Sequence, residues 1–145
     1  MSSVEKFLTA DEEQEIVQAI LEAEKNTSGE IRVHIESHTR LEHFERAKSI
    51  FHQLKMDNTK DENGVLIYVA VNDRKFVIYG DRGIDLVVPK NFWDDTKDTI
   101  QHQFEDGNFK QGIIAGILSA GQELETHFPC NNGEKNELSN EVSKE

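Results

Sequence analysis

The sequence predicts an α/β fold, a three-layer α/β/α sandwich around a small mixed central sheet, with the element order α-β-α-β-β-α-α. The first observation behind this prediction is the run from Val65 to Val71, which is apolar on both faces and typical of a strand covered on both sides. The second is that apolar residues recur at helical spacing before and after the predicted strands. Together these patterns favour a sheet with helices packed on it.

The N-terminal part of the chain predicts a helix, a strand and a second helix. Thr9 and Glu12 have the spacing of a capping box, and the apolar residues that follow share one helical face. From Glu30 to Glu36 polar and apolar residues alternate, as expected for a half-buried strand. Helical spacing then resumes over roughly residues 41–55.

The C-terminal part predicts a hairpin followed by two helices. A short polar turn separates the buried run from the strand at residues 76–79, which makes the pair antiparallel. Pro89 can open the next helix, which extends to the breaker at residues 106–108. A last helix ends near Pro129. Because a helix joins the first two strands, we expect those strands to be parallel.

The predicted division of the chain is an N-terminal lead at residues 1–8, one α/β domain at residues 9–129 and a disordered acidic tail at residues 130–145. Cys130 is the only cysteine, which rules out an internal disulfide and fits a reducing compartment. No apolar run is long enough for a membrane span, and the N-terminus shows no secretory signal. These features predict a cytoplasmic protein without membrane insertion.

Charge is the strongest bulk feature of the sequence. The chain has 28 Asp and Glu residues against 16 Lys and Arg residues, a formal net charge of −12. Such a surface repels phosphate backbones and anionic lipid headgroups, which argues against nucleic acid as a partner. Cations or a basic partner are favoured instead, although an acidic surface also serves solubility alone.

The predicted topology brings oxygen-bearing side chains to one end of the sheet. The first strand begins at Glu30, its parallel neighbour begins at Gly64, and the antiparallel third strand ends at Gly80. Hard cations such as Ca²⁺ and Mg²⁺ take oxygen ligands from carboxylates, amides and carbonyls. We therefore predict a divalent-cation site, with Arg82 as a compensating charge. The predicted ligands are Glu30, Asp61, Glu62, Asn63, Asp81 and Asp85.

Other interpretations of these residues stay open. The loop before Gly64 does not have the ligand spacing of an EF-hand, and its carboxylates can equally be solvated or cap the helix that follows. The opposite end of the sheet holds Glu36 and Asp73 and ranks second as a site. No phosphate-binding glycine loop, nucleophile elbow or zinc-binding helix is present in the sequence. The residues alone therefore predict no reaction.

Several segments, in order and spacing, resemble the TPM domain, most closely its short stand-alone bacterial form, over roughly residues 9–129. The segments are Thr27 to Ile31, Asn63 to Ile67, the glycines at 80 and 83, and Phe104 to Phe109 leading to Gly112. One departure is that the usual glycine-x-glycine after the third strand is spread here to Gly80 and Gly83. Many members also carry a signal peptide and a membrane anchor, which this sequence does not show.

The resemblance implies an α/β/α sandwich with a divalent-metal site, reported as calcium in some relatives. It places Glu30, Asn63 and Asp81 at the polar motif positions of the family, and Asp85 where many members have an acidic residue. It also implies the acid-phosphatase activity ascribed to thylakoid-lumen relatives, for which Asp81 and Arg82 would be the catalytic candidates.

Three functions follow from these observations. The first is a domain that binds a divalent cation, most favourably Ca²⁺, and has a regulatory or protein-interaction role. The second is a metal-dependent acid phosphatase, and the third is a protein-interaction module without a metal. Substrate, partner identity and oligomeric state are not predicted by the sequence.

Overall fold

The computed structural model describes residues 7–129 and 141–144, which contain five helices and four strands. In chain order they are α1 (Ala10–Glu24), β1 (Glu30–Glu36), α2 (His43–Gln53), β2 (Gly64–Ala70), β3 (Lys75–Gly80), α3 (Arg82–Asp85), α4 (Asp94–Glu105), α5 (Phe109–His127) and β4 (Ser143–Lys144). The predicted α/β class is confirmed, and every predicted element is present in the predicted order. The short helix α3 and the strand β4 were not predicted.

The strands form one mixed sheet in the order β3-β2-β1-β4. The strands β1 and β2 are parallel, from the pair Glu30–Gly64 to the pair Glu36–Ala70. The strands β2 and β3 are antiparallel, and Val65 is opposite Gly80. The starts of β1 and β2 therefore lie at the same end of the sheet as the end of β3, as the sequence predicts.

Side chains of the central strands alternate between two core clusters. In β2, Val65, Ile67 and Val69 pack into a large cluster with residues of α1, α4 and α5. The alternating partners Leu66 and Tyr68 pack into a smaller cluster with residues of α2. This division explains why the β2 sequence is apolar at every position: all seven of its residues are buried.

Local signals fix the helix ends, with one difference from prediction. Thr9 Oγ1 accepts from the Glu12 backbone N–H (3.1 Å) and Glu12 Oε1 accepts from the Thr9 N–H (3.0 Å), so the predicted capping box is formed. The fourth helix begins at Asp94 rather than at Pro89. Residues 89–93 form turns instead, and Phe92 N donates to Pro89 O (3.1 Å). No helix in the described ranges combines the length and apolar composition needed to cross a bilayer.

Both chain ends contact the rest of the protein where they are described. Residues 1–6, 130–140 and 145, including Cys130, lie outside the described residues. Leu8, in the predicted N-terminal lead, is 4% exposed and belongs to the large core cluster. Ser143 and Lys144 pair with β1 as β4 rather than remaining unstructured, because the outer edge of β1 offers unpaired backbone groups to an added strand.

Candidate functional site

Three loops meet at the end of the sheet that carries Glu30, Asn63 and Asp81, here called the acidic end. Backbone hydrogen bonds hold them together: Glu30 N donates to Asn63 O (3.3 Å) and Asp81 N donates to Gly64 O (2.9 Å). These contacts continue the strand ladders past the strand ends. Topology thus brings these loops together as predicted.

The helix α3 is fixed against the loop before β2 by a close backbone approach at Gly83. Gly83 N donates to Glu62 O (2.8 Å). A Cβ atom at Gly83 would lie 2.3 Å from Asp61 O and 2.5 Å from Glu62 O, which is far inside van der Waals contact. Only glycine fits at this position, which explains the second glycine of the segment at residues 80–83.

Asp81 is a buried acidic side chain of the acidic end. It is 8% exposed and caps α3, where its Oδ1 accepts from Arg82 N (2.7 Å). Its Oδ2 is buried and has no hydrogen-bond partner among the described residues. Burial raises the pKa of Asp81; the Arg82 N–H bond acts against this shift, and the negative charges of Glu62 and Asp57 add to it.

Glu30 and Asn63 are two further buried polar residues of this end, at 4% and 1% exposure. Asn63 Nδ2 donates to Ser28 Oγ (3.1 Å), and Ser28 Oγ donates to Asp61 Oδ2 (3.5 Å). Ser28 therefore links two predicted ligands. It is not itself among the predicted ligands, although it lies in one of the segments that carry the family resemblance.

The remaining predicted ligands, Asp61, Glu62 and Asp85, lie nearer solvent. Glu62 is paired with Arg82 through contacts of 2.8 and 3.3 Å, and the side chains are 39% and 74% exposed. Asp61 and Asp85 are exposed. Arg82 is thus the compensating charge that the sequence predicts, but its partner is Glu62.

Asp57 is an acidic residue outside the predicted set whose negative charge acts on the same end of the sheet. Burial raises the pKa of Tyr79, and the negative charges of Asp85, Asp81 and Asp57 raise it further. Asp57 opens the polar loop before β2, so its position in the sequence could have suggested it. Its carboxylate lies 2.8 Å from His52 Nδ1.

Glu24 is the second residue that the sequence analysis missed. Its Oε2 accepts from the backbone N–H of Ile31 (2.8 Å), the second residue of β1. Burial raises the pKa of Glu24 to about 7; the Ile31 hydrogen bond opposes the shift and the charge of Glu30 adds to it. The only sequence signal is the short connection between α1 and β1, which returns the helix end to the strand start.

The six predicted ligands share the acidic end but do not form a complete coordination shell. Among residues 7–129 and 141–144, no group of three or more His, Cys, Asp or Glu side chains is placed to hold a metal ion. Their contacts explain this: the Glu62 carboxylate pairs with the Arg82 guanidinium, and Asp81 Oδ1 caps α3. The pairing of Arg82 with Glu62 also means that the geometry adds no support to the phosphatase prediction.

At the opposite end of the sheet, Glu36 is buried but fully compensated. Arg46 donates to both of its carboxylate oxygens (2.9 and 2.7 Å), and the Tyr68 hydroxyl donates to it as well. His34 Nε2 lies 3.7 Å from Glu36 Oε1. Although burial acts to raise the pKa of Glu36, the hydrogen bonds from Arg46 and Tyr68 hold it below its ordinary value.

Asp73, the other acidic residue predicted for the opposite end, is also paired. Its Oδ2 lies 2.9 Å from His43 Nε2 and accepts from the backbone N–H of Thr39 (3.1 Å). The His43 contact and the Thr39 hydrogen bond lower the pKa of Asp73. This end is therefore compensated by the protein's own cations and donors.

Three of the four segments that carry the family resemblance meet at the acidic end, and the family model of the TPM domain matches residues 2–123. The chain belongs to the TPM domain family. No curated protein matches the sequence significantly.

Solved structures resemble this TPM domain over most or all of its length. The solution structure of the BA42 protein from the psychrophilic bacterium Bizionia argentinensis is 58% identical, covers 100% of both chains and superposes with a TM-score of 0.93.

Two more distant structures show the fold alone. The N-terminal domain of the cg2496 protein from Corynebacterium glutamicum is 13% identical, with a TM-score of 0.65 over 81% of this chain and 74% of that one. The N-terminal domain of a protein from P. gingivalis is 20% identical, with a TM-score of 0.68 over 84% of this chain and 79% of that one.

Proposed function

We propose that this TPM domain binds a divalent cation at its acidic end, Ca²⁺ in preference to Mg²⁺, and that the bound cation serves a regulatory or protein-interaction role. The observation that carries the proposal is the Asp81 carboxylate, which is 8% exposed and has a buried Oδ2 without a hydrogen-bond partner among the described residues. A buried charge without compensation is costly, and a cation would remove that cost.

The residues that would hold the cation fall into two groups. Asp81, Glu30 and Asn63 are already buried at the acidic end. Asp61, Glu62 and Asp85 lie on the loops around them and would complete the shell after side-chain rotation. Ca²⁺ accepts six to eight oxygen ligands in variable geometry, including carbonyls and waters, whereas Mg²⁺ demands near-ideal octahedral geometry. A site assembled from three loops therefore suits Ca²⁺ better.

The test is a titration of metal-stripped protein with Ca²⁺ and with Mg²⁺, followed by backbone amide NMR shifts and by the melting temperature. We expect Ca²⁺ to shift the amides of Glu30, residues 61–64 and residues 81–85, and to raise the melting temperature because it binds the folded state. The variant Asp81→Asn keeps a side-chain oxygen to cap α3 but removes the charge. It should lose the Ca²⁺ response.

The same variant makes a second prediction in the absence of cations. Because burial raises the pKa of Asp81, its ionised form opposes folding at neutral pH, so Asp81→Asn should melt at a higher temperature than the metal-stripped natural protein. Asp73→Asn at the opposite end is the matched control and should keep the Ca²⁺ response. Unchanged shifts and melting temperature at millimolar Ca²⁺ would rule out the cation site and leave a metal-free interaction module.

A further inference from the structure

The outer edge of β3 is unpaired in the part of the chain that the structure describes. The strand order β3-β2-β1-β4 places β3 at one side of the sheet. In an antiparallel pair, the backbone groups of successive residues point alternately toward and away from the partner strand. Asp81 N donates to Gly64 O, so the residues two and four positions earlier, Tyr79 and Val77, also bond to β2. The backbone N–H and C=O groups of Phe76, Ile78 and Gly80 therefore point away from β2. Such a row of free groups is a template for another strand.

Two hollows border this edge. One of about 480 Å³ runs along Phe76 to Ile78, between Phe44 of α2 and Lys97 of α4. The other, of about 500 Å³, lies at the start of β3 against Phe104 of α4. Arg74, Lys75, Phe76 and Gln101 line both hollows. From Lys75 to Ile78 the edge is thus flanked by open space rather than covered by a neighbouring element.

The charge at the start of this edge is opposite to that of the whole chain, whereas the Gly80 end of the edge lies at the acidic end. Arg74, Lys75 and Lys97 line the hollows and make no ion pair with the described residues, although the chain has a net charge of −12. Two carboxylates are also present, those of Asp98 and Glu105, and Glu105 Oε1 accepts from the Gln101 amide (3.0 Å). The cations are in excess and remain available to an acidic partner.

We infer that the outer edge of β3 binds an extended acidic segment of another protein, which pairs with β3 as an additional strand. Side chains of an added strand alternate between the two faces. On one face they would meet the ring of Phe44, which is 47% exposed, and on the other they would meet Lys97 and Gln101. The partner segment is therefore apolar at every second position and acidic between.

This inference names a surface for the protein-interaction role proposed above, and it stands without the cation. The acidic end is built from loops around Asp81, whereas the cations of the β3 edge lie at the start of β3 and on α4. If Ca²⁺ does not bind, the inference about the β3 edge still stands. If the peptide does not bind, the proposed cation site still stands.

The test uses two capped peptides of about six residues, the length of β3, titrated into the full ¹⁵N-labelled chain in EDTA and again in Ca²⁺. Both alternate valine with a charged residue, glutamate in one and lysine in the other. The net charge of −12 favours the lysine peptide at long range. We expect the glutamate peptide to bind more tightly by about tenfold, against that general attraction.

Backbone amides give the decisive readout. On binding the glutamate peptide, hydrogen exchange should slow at Phe76, Ile78 and Gly80, while Val77 and Tyr79 are already protected by β2. A glutamate peptide N-methylated on the edge that faces β3 should lose binding, since it cannot donate to the strand. These two results together would distinguish strand addition from a side-chain contact.

Matched charge variants complete the test. The double variant Arg74→Gln/Lys97→Gln should lower the affinity for the glutamate peptide by about tenfold. Lys55→Gln/Lys90→Gln removes the same charge outside both hollows and should leave its affinity unchanged. Equal binding of the lysine peptide, or undiminished binding of the N-methylated peptide, would overturn the inference. Light scattering that finds a dimer with slowed exchange at Phe76 and Ile78 would overturn it too and assign the edge to a second copy of the chain.

Discussion

The two ends of the sheet each contain an arginine that contacts a glutamate through two of its nitrogen atoms. At the opposite end, Arg46 contacts Glu36 at 2.7 and 2.9 Å, with side chains 21% and 6% exposed. At the acidic end, Arg82 contacts Glu62 at 2.8 and 3.3 Å, with side chains 74% and 39% exposed. The pairing chemistry is the same, but burial makes the first a part of the folded core and the second a surface pair.

The comparison extends to the acids around each pair. At the opposite end the pKa values of Glu36 and Asp73 are lowered, because arginine, tyrosine and histidine contact them directly. At the acidic end the pKa values of Asp81 and Glu24 are raised, because burial outweighs their backbone hydrogen bonds and, for Asp81, the charge of Arg82. The two acidic clusters therefore differ in what compensates their charges. Of these two ends, as far as the structure describes them, the acidic end is the one whose buried carboxylates would gain from the proposed cation.

The largest effect that separates the two ends should come from removing each arginine. Arg46→Ala leaves Glu36 buried without its main partner, and breaking such a pair costs about 3–5 kcal/mol of unfolding free energy. Arg82→Ala breaks an exposed pair and should cost less than about 1 kcal/mol. Urea denaturation of both variants measures the difference.

The pH dependence of Arg46→Ala gives an internal control. Without Arg46, burial raises the pKa of Glu36 toward protonation, so the loss relative to the natural protein should shrink as the pH falls. The double variant Glu36→Gln/Arg46→Met, which removes both charges, should recover much of the lost stability. Equal losses for Arg46→Ala and Arg82→Ala would show that burial does not distinguish the two pairs.

A second, smaller effect concerns the backbone packing that builds the acidic end. In Gly83→Ala the new methyl group meets the carbonyl oxygens of Asp61 and Glu62, so α3 must move away from the loop. We expect a loss of about 1–3 kcal/mol, as for other overpacked sites, and a weaker Ca²⁺ response. Urea denaturation and amide shifts at residues 61–64 measure both.

Gly80→Ala is the matched control for this prediction. It lies three residues away, and a Cβ atom there would be 3.5 Å from its nearest neighbours on Ile84 and Trp93, which is an ordinary contact. We expect its unfolding free energy to stay within about 0.5 kcal/mol of the natural protein. If both alanine variants behave alike, the close approach at Gly83 is not what positions α3.

Chain topology could be predicted from the sequence, whereas side-chain partnerships could not. Parallel and antiparallel connections follow from loop lengths and handedness. The sequence therefore suffices to predict that Glu30, Asn63 and Asp81 meet at one end of the sheet. The choice of Glu62 by Arg82 depends on rotamers that no spacing rule specifies. The strand β4 was missed because a polar, charged tail carries no burial pattern, and its pairing depends on the free edge of β1.

Glu24 was missed for a related reason and gives the smallest expected effect. Its partner is the Ile31 backbone N–H, a contact set by the angle between α1 and β1 and not by the identity of either residue. The folded pKa of about 7 exceeds the ordinary value of 4.5, so the folded state binds the extra proton between these values. Stability contributed by that proton is complete below about pH 4.5 and is lost as the pH rises toward about 7.

Glu24→Gln keeps the acceptor for Ile31 but cannot ionise, so it should remove this slope and match the natural protein at acidic pH. Above pH 7 the variant should be more stable by on the order of 1 kcal/mol, after allowance for solvent screening at a partly exposed site. Urea denaturation across this range and carboxyl ¹³C titration of Glu24 are the measurements. Since a bound cation favours ionised neighbours, Ca²⁺ at the acidic end should also lower the titration midpoint of Glu24. An ordinary midpoint without Ca²⁺ would mean that the acidic end is better solvated than its burial implies, and the case for a cation there would weaken with it.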